Sequence, residues 1–255
     1  MQKRTILITG GASGIGLGIA KYLGEKGHKI IIADINLPAA EEATMELQKQ
    51  QFDAHAIRLD VTSVAQIEML PEQLLPAQVD ILINNAGIQH VSKLEDFPAE
   101  KWQLLINVML VGPALLSKTF LPGMRERNFG RVINIGSLHS VVASPFKSAY
   151  VAAKHGLLGF SKTLALETGD ANITINTLCP AYVKTPLVEQ QISAQAIENN
   201  LSEKEIINKI MLEPMPKKSF IEIDELAAST DFLISDAARN ITAQALVIDG
   251  GWTAR

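Results

Sequence analysis

A tyrosine and a lysine four residues apart are the side chains of this sequence that could most directly carry out chemistry. Tyr150 and Lys154 stand in a segment with no Gly or Pro until Gly156. A helix there would project both from one face, with their Cβ atoms about 5–6 Å apart. An ammonium beside a phenol favours the phenolate, which is a proton acceptor. The same pair also occurs on solvated helix surfaces, so a catalytic interpretation needs support from elsewhere in the chain.

A glycine-rich turn from Thr9 to Gly16 follows the first predicted strand and opens the first predicted helix. Its glycines allow a tight turn and let the backbone approach a pyrophosphate at the helix N-terminus. Asp34 ends the second predicted strand, with no Arg or Lys immediately after it. Its carboxylate can accept hydrogen bonds from a ribose diol and would repel the 2′-phosphate of NADP. The pattern predicts NAD binding, although Asp34 can also cap the next helix.

Polar residues also follow the third and fourth predicted strands. Asp60 and Val61 follow the third, and the segment from Asn84 to Gly87 follows the fourth. Open α/β sheets bind ligands at this edge, so both are candidate parts of a nucleotide site. Two alternatives stay open: Asp60 can cap a helix beginning near Ser63, and the Asn84 to Gly87 segment can be a simple turn.

The composition is that of an ordinary globular protein. Of 255 residues, 47% are hydrophobic and 20% charged, and the net charge is −4, which does not suggest a nucleic-acid partner. Cys179 is the single cysteine, so no internal disulfide can form. The first apolar run is too short for a signal peptide, and no uninterrupted apolar stretch has the length of a membrane span. We expect a cytoplasmic protein without a metal, a membrane contact or a nucleic-acid partner.

Short apolar runs alternate with segments of helical period, which is the pattern of βαβ units. The predicted strands are Thr5 to Thr9, Lys29 to Ala33, Ala54 to Leu59, Val79 to Asn84, Gly130 to Gly136, Ile173 to Leu178 and Ala245 to Ile248. The predicted helices are Ile15 to Lys26, Pro38 to Gln50, Val64 to Leu75, Ala99 to Met124, Ala149 to Glu167 and Glu222 to Leu233. We predict one α/β domain over 1–255, a Rossmann-type doubly wound sheet of seven mostly parallel strands.

One segment interrupts this alternation. Residues 185–220 are polar and helix-prone and add no strand, and long insertions of this kind often form lids over a site. Methionines such as Met45, Met69 and Met109 are expected to fill the core.

The motifs together resemble the short-chain dehydrogenase/reductase family over the whole chain. The resemblance rests on their order and spacing: the glycine-rich turn, Asn84-Asn85-Ala86-Gly87, Asn107, Ser137 and Tyr150-x-x-x-Lys154. It implies an oxidoreductase with a nicotinamide cofactor. One departure is Pro180-Ala181, where the family usually has Pro-Gly.

The resemblance also implies a role for each catalytic side chain. Ser137 would hydrogen-bond the reacting oxygen, and Tyr150 would exchange the proton. Lys154 would bind the nicotinamide ribose and lower the pKa of Tyr150, and Asn107 would hold a water in the proton relay. Bringing a tyrosine from a pKa of about 10 to near 7 takes about 4 kcal/mol, which Lys154 and the nicotinamide ring can supply together.

The implied cofactor site combines the turn and strand-end residues with the catalytic pair. It comprises Thr9, Gly10, Ser13, Gly14, Ile15, Gly16, Asp34, Asp60, Val61, Asn84, Ala86, Gly87, Tyr150, Lys154, Pro180, Val183 and Thr185.

Further stretches resemble one branch of the family, the bacterial D-3-hydroxybutyrate dehydrogenases. They are Asn84 to His90, Lys147 to Gly156, Thr185 to Glu189 and Asp249 to Arg255. In that branch the substrate carboxylate is bound by side chains that correspond here to Gln89, His139, Lys147 and Gln191. A small hydroxy acid needs such a donor-rich pocket beside the catalytic tyrosine.

The remaining substrate contacts are apolar. Tyr182 and Trp252 are expected to line the pocket around the substrate methyl, and the lid carrying Gln191 to close over it. Each substrate residue also has a plain alternative: a satisfied His139, a solvated Lys147, a lid-helix Gln191, or a Trp252 that only anchors the C-terminus.

The resulting prediction is NAD-dependent, reversible oxidation of D-3-hydroxybutyrate to acetoacetate. The alternatives are another short-chain dehydrogenase, such as a 3-oxoacyl thioester reductase or a polyol dehydrogenase, and a non-catalytic nucleotide-binding protein of this fold. The resemblance further implies a homotetramer built partly on the helices that carry Asn107 and Tyr150. The apolar residues proposed for that interface are Val108, Leu110, Leu115, Leu116, Leu157, Leu158, Phe160, Leu164 and Leu166.

Overall fold

Seven apolar runs form one parallel sheet within residues 2–254, the part of the chain that the computed structural model describes; side chains 187, 190, 194, 198 and 199 lie outside that description. Arg255, the end of the last matching stretch, also lies outside it. The strands are β1 (Thr5–Thr9), β2 (Lys29–Asp34), β3 (Ala54–Arg58), β4 (Ile81–Asn84), β5 (Gly130–Ile135), β6 (Ile173–Pro180) and β7 (Ala245–Ile248). Their order is β3-β2-β1-β4-β5-β6-β7, and each neighbouring pair is parallel. The predicted doubly wound sheet is confirmed.

Helices cover both faces of this sheet. They are α1 (Gly14–Glu25), α2 (Leu37–Lys49), α3 (Val64–Gln73), α4 (Ala99–Ile106), α5 (Gly112–Glu126), α6 (Ser148–Glu167), α7 (Pro186–Asn199), α8 (Glu203–Ile206) and α9 (Ile223–Ile234). Apolar residues of α1, α2 and α9 pack on one face, and those of α3, α5 and α6 on the other. Ile6, Leu7 and Ile8 of β1 are all fully buried, because a parallel sheet covered on both faces buries every side chain of its central strands.

The predicted helix Ala99 to Met124 contains a wide turn that its periodicity does not indicate. Residues Asn107–Val111 form a π-helical turn between α4 and α5. Gly112 lies directly beyond it, and a Cβ there would stand 2.7 Å from the carbonyl oxygen of Val61. The helix therefore approaches the loop after β3 closely only because residue 112 has no side chain.

The same continuous helix, Ala99–Glu126, is long and apolar enough by length and composition to cross a membrane. Of its most apolar window, 39% is buried inside the chain. Leu116, Phe120 and Met124 pack in the core against the sheet. This packing explains part of the apolar composition, as it does for core helices of many soluble proteins.

The segment after β6 is helical, as predicted for a lid. Thr185 begins α7 by accepting a hydrogen bond from the backbone of Val188 at 3.4 Å. Val188, Ile192, Ile206 and Met211 form a small apolar cluster that joins α7 to the segment after it. This segment therefore has a small apolar core of its own beside the main sheet.

Two of the methionines expected in the core are on the surface. Met45 and Met69 are 54% and 53% exposed, whereas Met109 is buried. On α2 the buried positions are Ala40, Ala43, Thr44 and Leu47, so Met45 falls on the solvent face of an amphipathic helix.

Part of the predicted subunit interface is buried inside the single chain. Leu116, Leu157, Leu158 and Leu164 are at most 9% exposed, because the sheet and neighbouring helices already cover them. Leu166 is 83% exposed. The proposed interface residues of intermediate exposure are Val108, Leu110, Leu115 and Phe160.

Candidate active site

One cavity of about 520 Å³ opens at the carboxyl ends of the strands. It lies where the strand order reverses between β1 and β4, the usual ligand site of an open α/β sheet. All predicted substrate residues line it: Gln89, Ser137, His139, Lys147, Tyr150, Tyr182, Gln191 and Trp252. The predicted cofactor residues that line it are Gly10, Ser13, Gly14, Ile15, Asp34, Asp60, Val61, Ala86, Gly87, Tyr150, Lys154, Pro180, Val183 and Thr185.

Three predicted cofactor residues support the cavity without lining it. Thr9 is buried, and its Oγ1 accepts hydrogen bonds from the backbone N–H groups of Asn85 and Ala86 at 3.0 and 3.1 Å. Asn84 is buried and donates to Asn134 Oδ1 at 2.7 Å. A Cβ on Gly16 would meet the Asn85 amide nitrogen at 2.5 Å. Thr9 therefore joins the glycine-rich turn to the loop after β4, Gly16 leaves room for that contact, and Asn84 links β4 to β5.

Asn85 lines the cavity; it lies within the predicted Asn84 to Gly87 segment but was not assigned to the cofactor residues. Its amide donates to the carbonyl oxygens of Thr9 and Gly10 at 3.0 and 2.9 Å. Gly10 has φ +60°, and a Cβ there would lie 2.8 Å from Ala86 Cα. The second asparagine of the Asn-Asn pair was the sequence feature that could have indicated this role. The backbone bends where the strand ends, and the carbonyl groups there need a hydrogen-bond donor.

The glycine-rich turn and the end of β2 form a cradle that fits a dinucleotide. Ser13 precedes α1 without a side-chain cap, so the first N–H groups of this helix have no side-chain acceptor there. Asp34 accepts from the backbone of Ala12 at 3.2 Å and of Asn36 at 3.0 Å. Its carboxylate is thereby held beside the turn, at the cavity wall.

Asp60 stabilises a turn and lines the cavity at once. Its Oδ1 accepts from the backbone and hydroxyl of Thr62 at 2.9 and 2.7 Å. The cap of α3 is Ser63 instead, whose hydroxyl accepts from Gln66. The alternative in which Asp60 caps that helix is therefore wrong.

Ser137 and Tyr150 are brought together by β5 and α6. Ser137 begins a short turn, Leu138–Ser140, and its hydroxyl accepts from the backbone of His139 at 3.1 Å. Its hydroxyl also faces the Tyr150 phenol, whose anionic form it favours. The two hydroxyl groups thus share one point of the cavity wall.

Lys154 lies one turn after Tyr150 on α6, as the four-residue spacing predicts. It is 4% exposed, and its Nζ donates to the carbonyl oxygen of Ile135 at 2.6 Å. Burial lowers the pKa of Lys154 to about 8. The ammonium lies 5.7 Å from the centre of the Tyr150 ring.

The expected lowering of the Tyr150 pKa is not reached by the protein alone. Burial raises the pKa of Tyr150, and the nearby Ser137 hydroxyl opposes the rise only in part. A positive charge bound beside Tyr150 would favour the phenolate further.

Asn107 is not at the site. It is exposed and does not line the cavity, whereas Met109 is 1% exposed, lines it, and packs with Ala149 and Ala153 of α6. Leu105 and Met109, four residues apart, face inward, so the residue midway between them faces outward. The structure therefore does not bring the Asn107 side chain to the place that the predicted relay role requires.

The substrate side of the cavity contains a buried cation. Lys147 is 8% exposed and has no acidic partner among the residues that the structure describes. Its Nζ lies 5.8 Å from the Tyr182 ring, and burial lowers its pKa. Tyr182 in turn packs on Trp252 with 6.0 Å between ring centres. This end of the cavity combines an unpaired positive charge with aromatic walls.

Comparison with known proteins relates this geometry to one family. A family model described as short chain dehydrogenase matches residues 4–196. The D-beta-hydroxybutyrate dehydrogenases of Rhizobium meliloti and Cupriavidus necator are 41% and 42% identical over 257 residues, covering 99% and 100% of both chains. A crystal structure of an actinorhodin polyketide ketoreductase with NADPH is 31% identical, with a TM-score of 0.94, over 99% of this chain and 98% of that one.

Proposed function

The chain belongs to the short chain dehydrogenase family, and on that premise we propose that it oxidises D-3-hydroxybutyrate reversibly to acetoacetate with NAD. Full-length identity of 41–42% to two D-beta-hydroxybutyrate dehydrogenases supports the substrate. So does the convergence of Gln89, His139, Lys147 and Gln191 on one cavity beside Tyr150.

The observation that carries the proposal is the unpaired cation of Lys147. A buried ammonium without an anion is costly, and a substrate carboxylate would remove that cost on binding. Gln89 and Gln191 line the same cavity and can donate to the second carboxylate oxygen. A carboxylate held there places the hydroxyl of a short hydroxy acid toward Ser137 and Tyr150.

The side chains of the protein then handle the proton. Tyr150, as the phenolate, takes the hydroxyl proton, and Ser137 donates a hydrogen bond to the reacting oxygen. Lys154 holds positive charge beside the tyrosine and favours the phenolate. Bound NAD would accept the hydride that leaves C3 of the substrate. Its positively charged nicotinamide ring would also stabilise the Tyr150 phenolate.

The choice of NAD rests on Asp34. Its carboxylate is fixed at the cavity wall by two backbone N–H groups, where a 2′-phosphate would meet like charge. Arg58 stands in register with Asp34 on the neighbouring strand, so a cation is available nearby if the carboxylate is removed. The Asp34→Ser variant should therefore lose much of its preference for NAD over NADP.

A substrate panel tests the proposed function. NADH formation with D-3-hydroxybutyrate and NAD, but not with the L form, supports it. Faster turnover of an acetoacetyl thioester with NADPH would replace it with the ketoreductase function, and no turnover of any substrate would favour the non-catalytic alternative. The Tyr150→Phe variant should lose at least about 100-fold in kcat, the usual range for a general base.

We also propose that the enzyme is a cytoplasmic homotetramer. The large apolar residues exposed on α4, the π-helical turn and α6 include Leu104, Val111 and Leu166. Exposed apolar residues on neighbouring helices are covered by a second copy of the chain in many oligomers. A molecular mass near four times 27.7 kDa in light scattering would support the tetramer.

A further inference from the structure

The two ring nitrogens of His139 face different hydroxyl groups. Nδ1 lies 3.4 Å from Ser137 Oγ, and Nε2 lies 2.8 Å from Ser144 Oγ. The ring is 6% exposed and stands edge-on to Tyr150, with 5.9 Å between ring centres and planes at 82°. Its backbone belongs to the short turn capped by Ser137. The orientation of the ring is therefore set from several sides.

His139 is neutral at the pH of ordinary assays. Burial, and after it the charge of Lys147, lower its pKa to about 4. A neutral imidazole carries one N–H, so it donates a hydrogen bond from one nitrogen and accepts on the other. Which nitrogen holds the proton decides whether His139 can donate into the cavity.

Ser137 contacts the His139 ring on the side of the cavity, and Ser144 contacts it on the opposite side. Ser137 lines the cavity, as His139 does, and Ser144 does not. Ser144 is partly buried in the loop between the Leu138–Ser140 turn and α6. The bond made by one nitrogen of a histidine sets the tautomer at the other.

We propose that Ser144 is a positioning residue that holds His139 in the tautomer protonated on Nδ1. We assign the donor role in the 2.8 Å contact to the Ser144 hydroxyl, because a proton on Nε2 would leave the cavity-facing Nδ1 as an acceptor that repels a carboxylate; the single ring proton then stays on Nδ1, which faces Ser137 and the cavity. The inference rests on the proposed function in one respect: the group that accepts a hydrogen bond from His139 is the carboxylate of the hydroxy acid. His139 then serves as a neutral donor beside the charge of Lys147, without placing a second cation in the cavity.

Steady-state kinetics of three variants test this role. Ser144→Ala should raise KM for D-3-hydroxybutyrate about fivefold, the value of one neutral hydrogen bond, with kcat and KM for NAD unchanged. Ser144→Thr keeps the hydroxyl and should restore KM. Ser92→Ala is the matched control, because its backbone bonds the same loop at Phe146 while its hydroxyl bonds only the carbonyl of Lys93. An unchanged KM in Ser144→Ala, or an equal rise in the control, would overturn the proposal.

Solid-state NMR of the ¹⁵N-histidine-labelled enzyme tests the tautomer without turnover. The His139 signals, assigned by their loss in His139→Asn, should show a proton on Nδ1 and none on Nε2. In Ser144→Ala the Nε2-protonated form should appear. A wild-type ring protonated on Nε2 would overturn the proposal even if the kinetics agreed. Because this measurement needs no substrate, it separates a failure of the proposal from a failure of the proposed function.

Discussion

At the residue scale, the substrate side of the site depends on one charge. Lys147 is buried against Tyr182, and no carboxylate among the described residues lies beside it. An enzyme that keeps an unpaired cation in its cavity gives up stability, and it recovers that free energy when an anion binds.

Replacing Lys147 should therefore weaken substrate binding without lowering the stability of the fold. We expect Lys147→Met to raise KM for D-3-hydroxybutyrate about 10- to 100-fold, the value of a charge-assisted hydrogen bond, while KM for NAD stays the same. The free energy of unfolding in urea should not fall and should rise by about 1 kcal/mol or more. Lys162→Met, at an exposed position of α6, the helix that Lys147 precedes, is the control and should change neither quantity. A destabilised variant with normal KM would contradict this account of Lys147.

His139 should make the fold sensitive to acid. Its pKa is lowered from 6.5 to about 4, so the unfolded chain binds this proton at a higher pH than the folded chain. The part of the free energy of unfolding that depends on the neutral ring is fully present above pH 6.5. It is lost as the pH falls from 6.5 through 4, and the loss is up to about 3 kcal/mol. Urea unfolding over this window should show a smaller loss in His139→Gln than in the wild type. The exposed His55→Gln should behave as the wild type, and equal losses in all three proteins would contradict the prediction.

Asn107 offers a test of what residue spacing can predict. The motif residues Ser137, Tyr150 and Lys154 lie where their spacing indicates, because each is held by its own strand or helix. An asparagine within an apolar helix has no such local constraint, and the inward position belongs to Met109.

Asn107→Ala should accordingly keep kcat within about twofold of the wild type, as is usual for surface substitutions. Met109→Ala should lose about 2–5 kcal/mol of stability, because it leaves a cavity in the packing. Activity assays and urea unfolding measure both effects. A large loss of kcat in Asn107→Ala would restore the relay that the family resemblance implies.

At the scale of elements, most strands and helices were predictable within a few residues. Uniformly apolar runs mark strands buried on both faces, and residues such as Asn36 and Ser63 cap helices by accepting backbone N–H groups. The π-helical turn at Asn107–Val111 was not predictable, because it depends on the contact between Gly112 and Val61 from another element. The same holds for Asn85, whose partners are in a loop more than seventy residues away.

The loop contact at Gly10 can be tested against a second glycine. Gly10 and Gly27 both have positive φ, but a Cβ would clash with Ala86 at Gly10 and meet nothing within 4 Å at Gly27. Gly27→Ala should cost about 1 kcal/mol of stability and bind NAD normally. Gly10→Ala should in addition weaken NAD binding at least about tenfold in calorimetric titration, because the turn shifts. Equal affinity in the two variants would show that the turn does not position the cofactor.

At the scale of the whole molecule, the site lies at the edge where the parallel strands end, and residues of the segment after β6 line one side of it. Leu166 is 83% exposed on α6, the helix that also carries Tyr150. If copies of the chain associate through this helix, assembly also stabilises the catalytic pair.

A charge at Leu166 should therefore reduce assembly. We expect Leu166→Lys to lower the mass measured by light scattering below that of the wild-type protein, since burying an unpaired ammonium in the proposed interface is unfavourable. Met45→Lys places the same charge on the solvent face of α2 and should leave the mass unchanged. A Leu166→Lys variant that remains tetrameric would place the interface elsewhere.

The most direct test of the central claim is a crystal structure of the protein with NAD and a short, unreactive carboxylate. The account predicts that the carboxylate lies within about 3 Å of Lys147 Nζ, the distance of a charge-assisted hydrogen bond. Gln89, His139 and Gln191 should complete its contacts beside Tyr150. A carboxylate bound elsewhere, with Lys147 left without an anion, would contradict the assignment of a 3-hydroxy acid substrate.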